Sequence, residues 1–551
     1  MTKVTAILLA VLLATPAGAQ QALSPRDSAL HALNRLAWGA TPGLVDSVAR
    51  TGVMRWIEAQ LSPEAPGDPA MENRERPFAV LSTPSADLVQ EYLRAQREAR
   101  VARRGDSMAG RRRPGPGERM DPAMLEQRRL RRIGPQLQQL TLVRAVSSTN
   151  QLGEVVADFW FNHFNVFQNK GLDRPLLPGY VEWTIRPHSL GRFETLLVAT
   201  AESPAMLFYL DNVRSVAPGA TPPELERLRR LRNAGRGRMV EQRRRRADSL
   251  MQEAQNRMPR GLNENYAREL LELHTLGVDG GYSQRDVTEV ARILTGWGTA
   301  PPPQGARFEF HDWAHDEGAK SALGTDFPAG GGRQEGLRLL GLLAAHPSTR
   351  HHLSSKLCER LVSDLPSDGC IDAAARAWSR NEGDIRAVLR AVVRSPDFWA
   401  PAAIGSKIKT PMEFVVSAVR SVGGEADSTP RLAQQVARLG QPLYLQSAPT
   451  GYPETQEDWV NSGALLARMN FAMALAAGRV PGVWMDLDRV VPLAEDATVL
   501  VEAVDRVILN GQMSPHTRSV ILQELAGIGS PVQARALAVG LAIGGPEFQR
   551  Q

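Results

Sequence analysis

Lysine is nearly missing from this chain: of 65 basic residues only six are lysines, Lys3, Lys170, Lys320, Lys356, Lys407 and Lys409. An arginine bias that runs through the whole sequence reads as codon composition. The net charge of +6 therefore does not call for a nucleic-acid partner. Cysteine is scarcer still. Cys358 and Cys370 are the two present, and without a CxxC pair they do not start a thiolate metal site. HExxH, P-loop, GxSxG and GxGxxG signatures are all absent. Beyond the N-terminus no stretch approaches ~20 uninterrupted apolar residues, so the sequence predicts no membrane span. Alternating β runs are few, and "ARFEFH" is the best of them.

What is present begins with an export signal. Lys3 precedes the apolar run "AILLAVLLA", and "AGAQ" supplies a small-x-small cut after Ala19. Residues 1–19 read as a signal peptide, and the expected location is periplasmic or secreted. Residues 20–551 read as a single large helical domain. In an oxidising compartment Cys358 and Cys370, which flank a helix end and a Pro/Gly turn, are expected to bridge a helical hairpin. Two free thiols are the alternative.

Helical spacing of apolar residues dominates that domain, as in "LGEVVADFWFNHFNVF", "RDVTEVARILTGW" and "GDIRAVLRAVVRS". The fold class is mainly α, a large multi-helix domain with few short strands. Two arginine-rich stretches interrupt it. Residues 94–134 hold 13 Arg against 5 acidic residues, and residues 221–260 hold 12 against 5. They read as basic, partly disordered insertions, either solvated spacers or arms that contact an anionic surface. The remainder is acidic.

"NENYARELLELH", residues 263–274, is the densest polar stretch. Asn263 is a good N-cap and Gly277 suits the helix end. At ~100° per residue Arg268, Glu269 and Glu272 share one stripe, while His274 falls with Tyr266 and Leu270 on the core side. The stripe reads as either a solvated face, with Glu264 pairing Arg268, or a cleft wall. The next helix opens "SQRD", a capping-box-like start with Ser283 and Asp286.

"DFWFNHFNVF" sets His163 and Asn162 among aromatics, where a histidine is held neutral. That suits a ligand, a general base or a buried structural group. "HDWAHDEGAKSALG" offers His311, His315, Asp316 and Lys320. A metal reading of His311 and His315 needs a helix that the following glycines disfavour. In a chain that writes its cations as arginine, Lys320, Lys356 and Lys409 stand out as positions where a compact charge and a tunable pKa matter.

Six stretches taken in order, "DFWFNHFNV", "RPHSLGRFETLLVATAESPAMLFYLDN", "NENYARELLELHTLGVDGGYSQRDVTEVARILTGWG", "HDEGAKSALG", "HPSTRHHLSSKL" and "PTGYPETQEDWVNSGALLARMNF", resemble the bacterial family called domain of unknown function 1800. The resemblance covers nearly all of the mature chain and leaves the basic arms outside. It implies an exported, mostly helical protein without an established activity. It marks Asn162, His163, Asn263, Glu264, Arg268, Glu269, Glu272, Asp286, Trp297, His315, Asp316 and Lys320. The family pattern often carries a second histidine where this chain has Phe161, so a two-histidine metal site lacks a ligand here.

The leading expectation is a hydrolase-like enzyme acting on polysaccharide or another envelope polymer. Glu269, Glu272, His163, His315 and Asp316 are its candidate catalytic residues, and Asn162, Arg268, Lys320 and Trp297 its candidate substrate-binding residues. No metal ligands are assigned and no cofactor is favoured. The alternatives are a mononuclear divalent-metal enzyme using His163, His315 and Asp316, and a non-catalytic binding or scaffold protein. Specific nucleic-acid binding is not expected.

Overall fold

The computed structural model describes residues 23–62, 68–105, 130–233, 248–249, 251 and 261–551. The leader 1–19 and most of the two basic stretches lie outside the described residues. The longest described parts of those stretches are helical: Ser85–Gly105 runs past residue 94, and Pro223–Asn233 lies in the second. Their Arg, Ala, Leu and Glu content favours helix.

The described chain is mainly α, with three small two-stranded antiparallel sheets. "ARFEFH" supplies one strand, Phe308–Phe310, which pairs with Trp297–Thr299. One continuous apolar core runs from Ala32 to Phe548, and a small satellite forms around Ala29, Leu33 and Val45. No described helix is long and apolar enough to cross a membrane.

Two helices position the site. Gln151–His163, the cleft helix, starts at Asn150, whose side chain accepts from the Gly153 N–H. It is buried on nearly every side, as an all-round apolar helix must be. Pro347–Leu361 is the second. Its Cys358 is bridged to Cys370 at the start of Asp368–Arg380, with a Cα separation of 6.2 Å, as the turn between them predicts. A loop of this size adds about 3 kcal/mol by constraining the unfolded chain.

A third contribution is the segment 441–459, laid across the C-terminal end of the cleft helix. Asn162 Nδ2 donates to the Tyr452 carbonyl at 2.8 Å, and its Oδ1 accepts from the Tyr452 N–H at 2.7 Å. Asn165 donates to the carbonyls of Gln446 and Ala448. Gly451 has φ +75°, and a Cβ there would run into the Asn162 carbonyl, so glycine is required on both counts.

Candidate functional site

Between the cleft helix, the segment 441–459 and a π-helical turn at Tyr180–Ile185 lies a cleft with about 780 Å³ of open space. π turns are rare and concentrate at functional sites. Here the turn sets Val181 and Ile185, with the following Arg186, on the cleft wall. The opposite wall is aromatic, formed by Phe161, Tyr444 and Tyr452.

Its charges come in tight sets. Arg186 holds Glu154 with two hydrogen bonds of 2.7 and 2.8 Å. Arg144, behind it, holds Glu182 the same way and reaches Glu75 at 2.6 Å. Arg360 is shared by three carboxylates: Glu454 at 2.9 Å, Glu413 at 3.1 Å and Asp158 at 3.6 Å. Asn162 adds a 3.2 Å hydrogen bond to Glu454. Its place one helical turn after Asp158 and two after Glu154 makes a single polar stripe on an apolar helix.

These carboxylates do not share one protonation state. Burial works to raise Glu154, but the charge and hydrogen bonds of Arg186 hold it below the ordinary range. Burial likewise opposes Glu413, yet Arg360 and the Thr410 N–H keep it low. Asp158 goes the other way. Burial pushes its carboxyl to about 7; Arg360 pulls it down, while Glu454, Glu413 and Glu154 push it up. Its side chain keeps 27% of its surface exposed and lines the cleft. A carboxyl poised near neutrality can give or take a proton there.

Of the residues selected from sequence, Asn162 alone lines this cleft. Glu269 and Glu272 are half-buried on Glu264–Glu272. Burial raises Glu269, Glu272 raises it further, and Arg268 opposes them. Tyr282 donates to Glu272 at 3.3 Å. Glu264 and Arg268 do not pair with each other. Both bond Gln284, tying this helix to Gln284–Ile293.

His163 is buried elsewhere. Its Nε2 lies 3.2 Å from the His274 carbonyl, and its ring stands 6.2 Å from His274 and 6.5 Å from His352. Burial, then the charge of Lys356, holds it well below the ordinary histidine range. His274 is in the core, as its helical position predicts.

His315 occupies a third environment. Its Nδ1 meets the Thr295 carbonyl at 2.8 Å, and its Nε2 lies 3.4 Å from Glu335, which also takes Lys320 at 2.6 Å. Asp316 pairs with Arg292 at 2.8 Å. Lys320 is fully enclosed, and Trp297 packs at 0% exposure against Phe308 and Gly336. Both side chains are buried.

Glu269, His163 and His315 thus share no hydrogen bond, ion pair or ring contact among the described residues. His163 is engaged at the His274 carbonyl and His315 at the Thr295 carbonyl and Glu335, while Glu269 makes no side-chain hydrogen bond among the described residues. Among the described residues no three His, Cys, Asp or Glu side chains are grouped to hold a metal ion. The 311–315 segment is a 3₁₀ turn, with His311 bonded to the Thr299 carbonyl.

Asp158, Glu154, Arg360, Glu413 and Glu454 were not selected from sequence. The usable signal for the first two was the i, i+4 polar stripe 154–158–162 within an apolar run. Glu454 sat in "PTGYPETQEDW". Arg360 and Glu413 carried no local signal, because their partners are distant in sequence.

A family model described as protein of unknown function (DUF1800) matches residues 31–550. No curated protein and no solved structure matches the chain.

Proposed function

We propose that this chain, which belongs to the DUF1800 family, is an exported hydrolase-like enzyme with Asp158 as the acid–base group of its cleft. The observation that carries the reading is a cleft-lining carboxyl held near pH 7 beside a cation and two committed carboxylates. Protonated Asp158 gives its proton to a leaving-group oxygen, and the resulting carboxylate takes one from attacking water. Arg360 limits the cost of the charge that appears. Glu154, which Arg186 holds below the ordinary carboxylate range, stays ionised and stabilises positive charge developing on the substrate.

Polysaccharide or another envelope polymer is the proposed substrate. The compartment expected from the leader supports that class, as does a cleft pairing aromatic faces with carboxylates. The basic stretches 94–134 and 221–260 are proposed to hold the enzyme near an anionic surface.

The experiment is a hydrolysis screen of the purified protein against envelope polysaccharides and chromogenic glycosides and esters, run beside Asp158→Asn. The reading predicts turnover by the natural chain and its loss in the variant, with the fold retained by circular dichroism. Equal turnover by both proteins, or binding of a polymer without cleavage, contradicts it. The second outcome would favour a non-catalytic binding protein built on the same charge network.

A further inference from the structure

A second, smaller pocket lies apart from the cleft and shares no lining residue with it. Its walls come from Pro25–Leu36, Pro411–Ser421, the turn at 508–512 and the last residues of the chain. Two of its side chains each present a polar atom without a hydrogen bond or ion pair among the described residues. Lys409 is 4% exposed, and its amine sits 4.0 Å from the centre of the Phe548 ring; no carboxylate bonds it among the described residues. Glu547 accepts from Ser514 and Thr517 through Oε1, while its Oε2 is buried with no hydrogen-bond partner.

Lys356 is also without an ion pair among the described residues, and burial lowers it too, but Lys409 alone of the two lines this cavity. Lys170, Lys320 and Lys407 are each ion-paired, to Asp211, Glu335 and Asp364. The carboxylate nearest in effect to Lys409 is Glu413, already bonded by Arg360, and the cation Arg468 acts against its charge. Burial, with Glu413 opposing and Arg468 assisting, brings the ammonium down to about 7. Glu547 and Arg550 are the other charged groups on the wall. Arginine at this position would stay charged, which explains why a chain so poor in lysine keeps one here.

We propose that Lys409 is the reactive amine of a second site, which takes a small aldehyde or ketone as an imine. The amine lone pair forms a bond to the carbonyl carbon, and the carbonyl oxygen gains protons and departs as water, leaving C=N. No electrons are exchanged with another reagent. Glu547 Oε2 is the wall group free to relay the proton. Asn34, Ser417 and Asn510 supply neutral polar contacts for the remainder of the ligand.

The test treats the full chain with glyoxylate and cyanoborohydride between pH 6 and 9, and maps the trapped adducts by peptide mass. At pH 7 Lys409 should be alkylated about a hundredfold faster than Lys170 or Lys407, whose amines are engaged by Asp211 and Asp364. Its rate should be half-maximal close to pH 7. Lys409→Met should lose that adduct and keep the slow ones, and Glu547→Gln should slow its formation. Should Lys409→Met fail to fold, the map of the unsubstituted chain decides alone. Labelling of Lys409 no faster than of the ion-paired lysines overturns the proposal, as does a fast adduct at another lysine.

Discussion

Asp158 is the loosest of the three carboxylates around Arg360: its Oδ2 stands 3.6 Å from the guanidinium, against 2.9 Å for Glu454 and 3.1 Å for Glu413. One arginine cannot neutralise three buried acids, so the least well-held one gives up its charge. Burial first, and then that imbalance, set Asp158 near neutrality, and the proposed chemistry depends on it.

It also has a stability consequence. Unfolded Asp158 titrates near 3.8 and the folded one near 7, so between these values the native state holds a proton that the unfolded state has lost. Stability from this group is full below about pH 4 and declines as pH rises through 7. From pH 5 to 8 the decline is of the order of 2–3 kcal/mol, an upper bound for a partly exposed side chain. Asp158→Asn should flatten that part of the urea-denaturation profile. An unchanged slope in the variant would place the proton elsewhere.

The buried histidines act with the opposite sign. His274 is lowered to about 3 and His352 to about 4, in each case by burial first and then by Lys356, and His163 is lowered too. Below pH 6.5 the unfolded chain takes up protons that these rings refuse, so stability falls on acidification. Each ring contributes about 2 kcal/mol of loss from pH 7 to 5. His274→Leu should remove one such contribution, read as a smaller difference between denaturation at the two pH values. A full-sized difference in the variant would mean that His274 is protonated in the native state.

Lys320 and Glu335 form an enclosed pair, 0% and 3% exposed. Lys320→Met or Glu335→Gln alone leaves one group without its partner and should cost about 3–5 kcal/mol. The double variant should lose clearly less than the sum, because neither charge is then stranded. Additive losses in a double-mutant cycle would show that the pair is not coupled.

Much of the fold was legible because it rests on local physics. The Asn263 cap, the Ser283–Asp286 capping box, the core position of His274 and the 358–370 bridge each depend on residues close together in sequence. The site was less legible. Glu269, His163 and His315 each have a polar neighbourhood, but sequence spacing cannot tell whether three such neighbourhoods meet. Arg360 illustrates the difficulty, since its carboxylates come from positions 158, 413 and 454. The lysine argument fared better. Lys320 and Lys409 do occupy enclosed positions, one paired and one not.

The most direct measurement is the pH–rate profile of whichever polymer the screen shows to be cleaved, for the natural chain, Asp158→Asn and Glu269→Gln. The account predicts a titration limb near pH 7 in the natural chain, retained in Glu269→Gln, with activity abolished in Asp158→Asn. A limb and rate that survive Asp158→Asn but vanish in Glu269→Gln would contradict it and move the chemistry to the 264–272 helix.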